Sequence, residues 1–275
     1  MIRKTAFLAA AWFAATALQA PHAAGPKMQM WRLDCGEVDI GDLDTFSDTY
    51  LYVGRKKTLT DSCYLIRHGE NYLLWDTGLP GELAGKTIST GGMVLRVRSR
   101  IVDQLARIGV RPDQVNIVGI SHRHDDHTGQ AADFPKATLL IGAGDFETIK
   151  GRAESAPRFA PWLKGGSKVE KLNGDHDVFG DGSVVMLNMP GHTEGHHSLL
   201  VRLPRTGTVL LTGDLYHFTE NRRARGVPRF NTDRADTLAS MDRFEAIARN
   251  LKARVVIQHE PADIAKLPPF PQSAE

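Results

Sequence analysis

The chain has 275 residues, and 34 Lys plus Arg against 32 Asp plus Glu leave a formal charge of +2, which excludes an extended phosphate-tracking surface and argues against nucleic acid as a partner. Hydrophobic residues make up 41% and charged ones 24%, the balance of a globular protein and not of a disordered, collagen-like or coiled-coil chain. The 11 histidines are the one excess, and several of them cluster.

Met1, Ile2, Arg3 and Lys4 form a basic start, and residues 5–20 follow as an apolar, small-residue run too short for a bilayer span of about 20 residues. Residues 1–24 therefore read as a secretory signal, leaving residues 25–275 as one mature domain in the periplasm or outside the cell. No later segment approaches spanning length, so no membrane association is expected after cleavage. Export would permit Cys35 and Cys63 to pair. Both lie in apolar stretches, WRLDCG and SCYLIR, where a small buried thiol packs well, and the expectation is two free core cysteines.

MQMWRLD, SCYLIRH and NYLLWDT read as strands, the last two joined as a hairpin across His68 to Asn71. Ile101, Val102, Leu105 and Ile108 recur at helical spacing, with Gly109 placed as a stop. NIVGIS is a short buried strand that runs into the histidine cluster, and ATLLIG, SVVMLNM, HSLLVRL and TVLLTGD are further strands. Residues 151–167 look like a loop covering a site. Leu238, Met241, Phe244, Ile247 and Leu251 mark an amphipathic helix, and ARVVIQ is a last strand ending before His259. Strands interleaved with helices predict an α/β fold with helices on the outer faces of a sheet.

The segment from His122 to His127 spells His-x-His-x-Asp-His. His122 and His124, two apart at a strand end, can project the same way, while Asp126 and His127 continue around the turn toward a second point. His192, Asp214 and His259 each follow an apolar run. The spacing predicts His122, His124 and His192 on one metal, Asp126, His127 and His259 on a second, and Asp214 between them. Imidazole and carboxylate ligands without thiolate suit two divalent ions, Zn foremost, with Mn, Fe and Co also compatible.

This motif, the later PGHTEGH, the GD at a strand end and the late His259 resemble the metallo-β-lactamase superfamily, which implies an αββα sandwich with the metals at one sheet edge. In that resemblance Asp76, in LLWDTG, supports the metal loop from beneath. LDCGEVDIGDLDTF, DSCYLIRHG, LLWDTGLP, HTGQAADFPKATLL and GDLYHF are similar to the N-acyl homoserine lactonase family, which implies a small lactone substrate, the bacterial quorum-sensing signal, opened by a hydroxide held between two ions. Asp126 is then the group that passes a proton to the leaving oxygen. That family carries a Tyr three positions after the bridging Asp; here the position is His217 and the Tyr is Tyr216, so either is a candidate to contact the substrate carbonyl.

His196 and His197 are expected to pack or to support ligands, and Arg123 and Asp125 to be exposed. His22, His68 and His176 sit in ordinary turn or leader contexts. Tyr50, Tyr52, Phe159, Trp162 and Phe218 are candidates to line an acyl pocket, and Arg222 to Arg225 to form a solvated loop. A homodimer is compatible with the sequence. GxSxG is absent, so serine hydrolysis has no support. Asp214 counts against a β-lactamase, the short tail after His259 against a glyoxalase-type thioesterase, and His124 against a flavo-diiron protein. Organophosphate, other ester or β-lactam hydrolysis and a non-catalytic periplasmic zinc-binding protein are the alternatives.

Overall fold

A computed structural model describes Met1, Ile2 and residues 25–275. The leader expected at residues 1–24 lies outside the described residues apart from those first two. Strand β1 (Met28–Ile40) pairs antiparallel with β2 (Lys57–His68), which turns through Gly69 and Glu70 into β3 (Asn71–Trp75). The short β4 (Thr87–Thr90) and β5 (Met93–Arg96) extend the far edge, beyond β1. Helix α1 (Ile101–Arg107) leads to β6 (Ile117–Ile120), α2 (Asp125–Thr128), β7 (Thr138–Gly142), α3 (Ala143–Lys150), α4 (Ala160–Leu163) and β8 (Val169–Leu172). These strands form one eight-stranded sheet in the order β4-β5-β1-β2-β3-β6-β7-β8.

The second half adds β9 (His176–Asp177), β10 (Val184–Asn188), β11 (His197–Leu203), β12 (Gly207–Leu211), α5 (Thr219–Ala224), α6 (Arg234–Asn250) and β13 (Arg254–Val256). They give a five-stranded sheet, β13-β12-β11-β10-β9. Alternation decides which side chains lie between the sheets. Met28, Met30, Tyr64, Ile66, Leu73 and Trp75 face inward against Met186, Leu199, Val201, Val209 and Leu211. Their odd-even neighbours Leu33, Leu65 and Leu74 face outward under α1, α3 and α4. On the other sheet Leu187, Leu200, Leu210 and Val255 meet Met241, Phe244 and Ala248 of α6. The layers are therefore helix, sheet, sheet, helix, the αββα sandwich that the motifs imply.

Three expectations need correction. Cys35 and Cys63 are joined in a disulfide, with Cα atoms 5.8 Å apart. The register of β1 on β2 shifts between Asp34 and Gly36, so Cys35 is the bulged residue, and both cysteines fall on the outer face of the sheet. Residues 151–167 are not wholly a covering loop: Phe159 and Trp162 are buried under the first sheet, and Trp162 Nε1 donates to Ala137 O at 2.8 Å. Arg222 lies on α5 and not in a loop, its guanidinium forked onto Glu245 at 2.7 and 3.0 Å. Among the described residues no helix is long and apolar enough to cross a membrane.

Candidate metal centre

Five strand ends point to the same edge of the sandwich. β3 delivers Asp76, β6 delivers His122 to His127, β10 His192, β12 Asp214 and β13 His259. Two groups of ligand atoms result: His122, His124, His192 and Asp214, and Asp126, His127 and His259. Asp214 lies between them. Its Oδ2 is 3.4 Å from His122 Nε2 and 3.3 Å from His192 Nε2, while Oδ1 is 3.2 Å from His127 Nε2 and 2.9 Å from His259 Nε2.

The nitrogens crowd one another in a way that suits a cation. His124 Nδ1 lies 2.9 Å from His122 Nε2 and 3.0 Å from His192 Nε2, and His127 Nε2 lies 3.1 Å from His259 Nε2. Acceptor lone pairs cannot all be satisfied by one shared proton. Asp214 Oδ1 is buried and faces only the Nε2 atoms of His127 and His259, and a carboxylate oxygen so far from water is costly unless a cation meets it. The donor set fits divalent metal ions of the Zn type.

The far nitrogens are held so that the near ones stay free to ligate. His127 Nδ1 donates to Asp76 Oδ2 at 2.8 Å, His192 Nδ1 to Asn231 Oδ1 at 2.9 Å and His259 Nδ1 to Thr60 O at 2.8 Å. His122 Nδ1 lies 3.0 Å from Ser121 Oγ. Asp76, fully buried, also accepts from Ser121 N at 2.7 Å and Gln258 Nε2 at 2.9 Å. It takes a left-handed φ of 58°, an uncommon one for a side chain with a Cβ, and so turns sharply beneath the metal loop. The next turn residue but one must be glycine: a Cβ on Gly78 would lie 2.5 Å from Cys35 Cβ, so the disulfide strand packs directly against this turn. His196 works from behind, accepting from Asp214 N at 2.9 Å and donating Nδ1 to Met189 O. His197 Nδ1 donates to Gly195 O at 2.7 Å.

The two groups differ in charge preference. Burial and the neighbouring His192 hold His124 down to about 3. Burial also opposes the charged form of His259, but the Asp214 carboxylate outweighs it and lifts that imidazole to about 9. A metal-free chain at pH 7 therefore carries a proton on His259, and a cation entering the second group must displace it. Metal uptake at pH 7 is expected to release about one proton or more, with affinity rising toward pH 9. Calorimetric titration of Zn in two buffers of different ionisation enthalpy reads this count, and a buffer-independent heat contradicts it.

Two adjacent candidates part company. Tyr216 turns toward α6, where its hydroxyl donates to Glu245 Oε1 at 3.2 Å and its ring packs on Phe244. His217 turns into the centre, with Nε2 3.1 Å from Asp214 Oδ2 and its ring stacked 5.9 Å from that of His259. His217 Nδ1 has no hydrogen-bond partner among the described residues, Nε2 faces Asp214, and burial holds the ring at about 4, hence neutral at pH 7. Asp126, like His124, is half-buried, its side chain 32% exposed and 3.9 Å from His259.

Of the aromatic residues expected around a pocket, Tyr52, Phe159, Trp162 and Phe218 are buried in the core, and Tyr50 alone is exposed, its ring under Arg229. The aromatic wall is instead Phe46 and Phe230, whose rings lie 4.8 and 5.8 Å from His217. Phe46 followed a polar run and Phe230 stood isolated in sequence, so neither gave a periodic signal. Asn231, Gln258 and Thr60 were likewise missed; only Gln258, next to His259 in the turn after β13, had a position that could have marked it. A cavity of about 230 Å³ adjoins His124, lined by Asp125, Ile149, Arg152 and Ser155 among others, so the start of the 151–167 segment does border the centre.

Residues 58–259 match the metallo-beta-lactamase superfamily. The chain belongs to the metallo-beta-lactamase superfamily. Within that superfamily it is 33% identical over 222 residues to N-acyl homoserine lactonase AttM of Rhizobium johnstonii, covering 72% of this chain and 81% of the relative. An N-acyl homoserine lactonase of Bacillus cereus is 30% identical over 207 residues, 72% of this chain and 80% of that one. A quorum-quenching N-acyl homoserine lactone hydrolase superposes with a TM-score of 0.77 at 25% identity, over 91% of this chain and 99% of its own. Such kinship makes this superfamily member a metal-dependent hydrolase of carboxylic ester bonds.

Proposed function

We propose that the chain opens the ring of N-acyl homoserine lactones at a pair of divalent ions, most readily Zn, and so quenches bacterial quorum signals. The carrying observation is Asp214, which presents one carboxylate oxygen to each ligand group. A related lactone hydrolase holds N-hexanoyl-L-homoserine, the ring-opened product, at its catalytic metal centre, with a TM-score of 0.75 to this chain. Bound divalent ions supply Lewis acidity and a water whose pKa falls to about 7.

The chain's own residues do the remainder. Asp214 holds the two groups at a fixed spacing, and the five imidazoles leave net positive charge for a developing oxyanion. His217, a neutral ring beside Asp214, is the candidate to donate a hydrogen bond to the lactone carbonyl. Asp126, at the open side, is placed to return a proton to the departing ring oxygen. Phe46 and Phe230 shield this mouth from water and offer an apolar surface to the acyl group.

Proton release across homoserine lactones of short and long acyl chain, with simple lactones, paraoxon and nitrocefin alongside, tests the reading. Turnover is expected for the lactones; inert lactones with hydrolysis of the phosphotriester or β-lactam would overturn it. His217→Phe keeps a ring in place without a donor and is expected to lower kcat about 100- to 1,000-fold, the range for one oxyanion donor, with metal content unchanged. An unchanged kcat removes His217 from the chemistry. We propose in addition that the protein works in the periplasm or outside the cell, which the disulfide supports. N-terminal sequencing of material recovered from those compartments is expected to begin near Gly25.

A further inference from the structure

The variable position inside His-x-His holds Arg123, and it is not exposed as the sequence suggested. Its side chain is 11% accessible, and Nη1 donates to Asp145 Oδ1 at 2.7 Å and to Glu194 Oε2 at 2.5 Å. Asp145, on α3, is fully buried and collects further donors: Thr193 Oγ1 to Oδ2 at 2.7 Å and Gly195 N to Oδ1 at 3.4 Å. A carboxylate removed from water is costly unless paired and hydrogen-bonded, and removal of one partner of such a pair is more damaging than the pair is stabilising.

What Asp145 joins is specific. Arg123 sits between His122 and His124, and Thr193 follows His192, so one carboxylate ties together the two loops that carry all three imidazoles of the first group. The backbones are pressed together at the same point. A Cβ on Gly142, at the start of α3, would fall 2.0 Å from Gly195 O, and one on Gly195 would fall 2.8 Å from Asp145 N. His197 N donates to Ser121 O at 2.8 Å, closing the same seam from the other side. None of these contacts reaches Asp126, His127 or His259. Ser121 Oγ lies near both His122 Nδ1, at 3.0 Å, and His127 Nδ1, at 3.2 Å, but the second group has holds of its own in Asp76 on His127 and Thr60 O on His259.

We propose that Asp145 and Arg123 are positioning residues that set the spacing of the two loops supplying His122, His124 and His192, and thereby the affinity of that metal position alone. The inference rests on the two-ion reading above. Neither side chain belongs to the two groups of ligand atoms; each acts through the imidazoles beside it.

The test is Zn binding by the full chain in competition with a chromophoric chelator, with the melting temperature of the metal-free chain measured in parallel. Asp145→Asn is expected to weaken one ion about 10- to 100-fold, the usual cost of losing a group that orients a ligand, and to leave the other unchanged. Backgrounds locate the loss. Combined with His259→Ala, which spoils the second position, Asp145→Asn removes most remaining binding; combined with His192→Ala it adds little. Arg123→Leu reproduces the effect, and Arg123→Lys, which keeps the cation, restores most of it; this pair carries the test if Asp145→Asn does not fold. Equal weakening of both ions, weakening of neither, or a loss that adds only to His192→Ala overturns the clamp. A wild-type chain that takes up fewer than two ions refutes the two-ion reading itself, before any variant is made.

Discussion

Asp214→Ala should abolish hydrolysis and metal retention together. The carboxylate is 4% exposed and lies within 3.4 Å of four imidazole nitrogens that belong to the two ligand groups. Without it, the imidazoles face one another with no anion between them, and the charge that raises His259 disappears. Loss of a group that merely orients a ligand weakens metal binding about 10- to 100-fold; loss of a ligand shared by both positions should exceed about 100-fold for each. Metal analysis after gel filtration and a lactone assay on the same sample give both readouts. Full metal content with normal turnover would show that Asp214 does not bridge.

The second large effect is on stability. Cys35 and Cys63 close a separation of 28 residues, which in chain-entropy terms is worth about 3–4 kcal/mol. For a domain of this size that corresponds to a fall in Tm of roughly 7–14 °C on reduction. The site should respond as well, because Leu79 N donates to Cys35 O at 3.2 Å and to Asp61 Oδ2 at 3.0 Å, and Gly78 packs on the Cys35 side chain. Scanning calorimetry with and without reductant, and of the Cys35→Ser, Cys63→Ser double variant, measures this. An unchanged Tm, or two thiols titratable in the native protein, contradicts it.

The clustering of His122, His124, Asp126, His127, His192, Asp214 and His259 was legible in sequence because they stand at or just beyond the ends of apolar runs, and strand ends on one edge of a sandwich converge whatever the loop detail. The same runs gave only strands interleaved with helices; the αββα layering came from the resemblance of the motifs. Pairing of the cysteines was not legible: it depends on a one-residue bulge at Cys35, and a shift of one residue decides which face a strand side chain occupies. The choice between Tyr216 and His217 stayed open in the sequence for a related reason. Adjacent residues in extended backbone point opposite ways, and the turn at Gly213–Leu215 sets the phase without leaving a periodic trace. The supports of the ligands, Asn231, Thr60, Asp76, Gln258 and Asp145, come from five separate segments. Only Asp76 lay in a recognisable motif; for the others the tertiary fold creates the contact. Phe159 and Trp162 misled because a Gly- and Pro-rich stretch normally marks a surface loop, whereas here it buries both rings under the first sheet.

The central claim is that lactone opening requires both ligand groups to be filled. The most direct measurement is to strip the metal with a chelator, return Zn in sub-stoichiometric steps, and follow the opening of a homoserine lactone by proton release. The stripped chain is expected to show no turnover, and the rate to rise as the second equivalent binds. Full activity in the stripped chain, or at a single equivalent with no further gain, would contradict it.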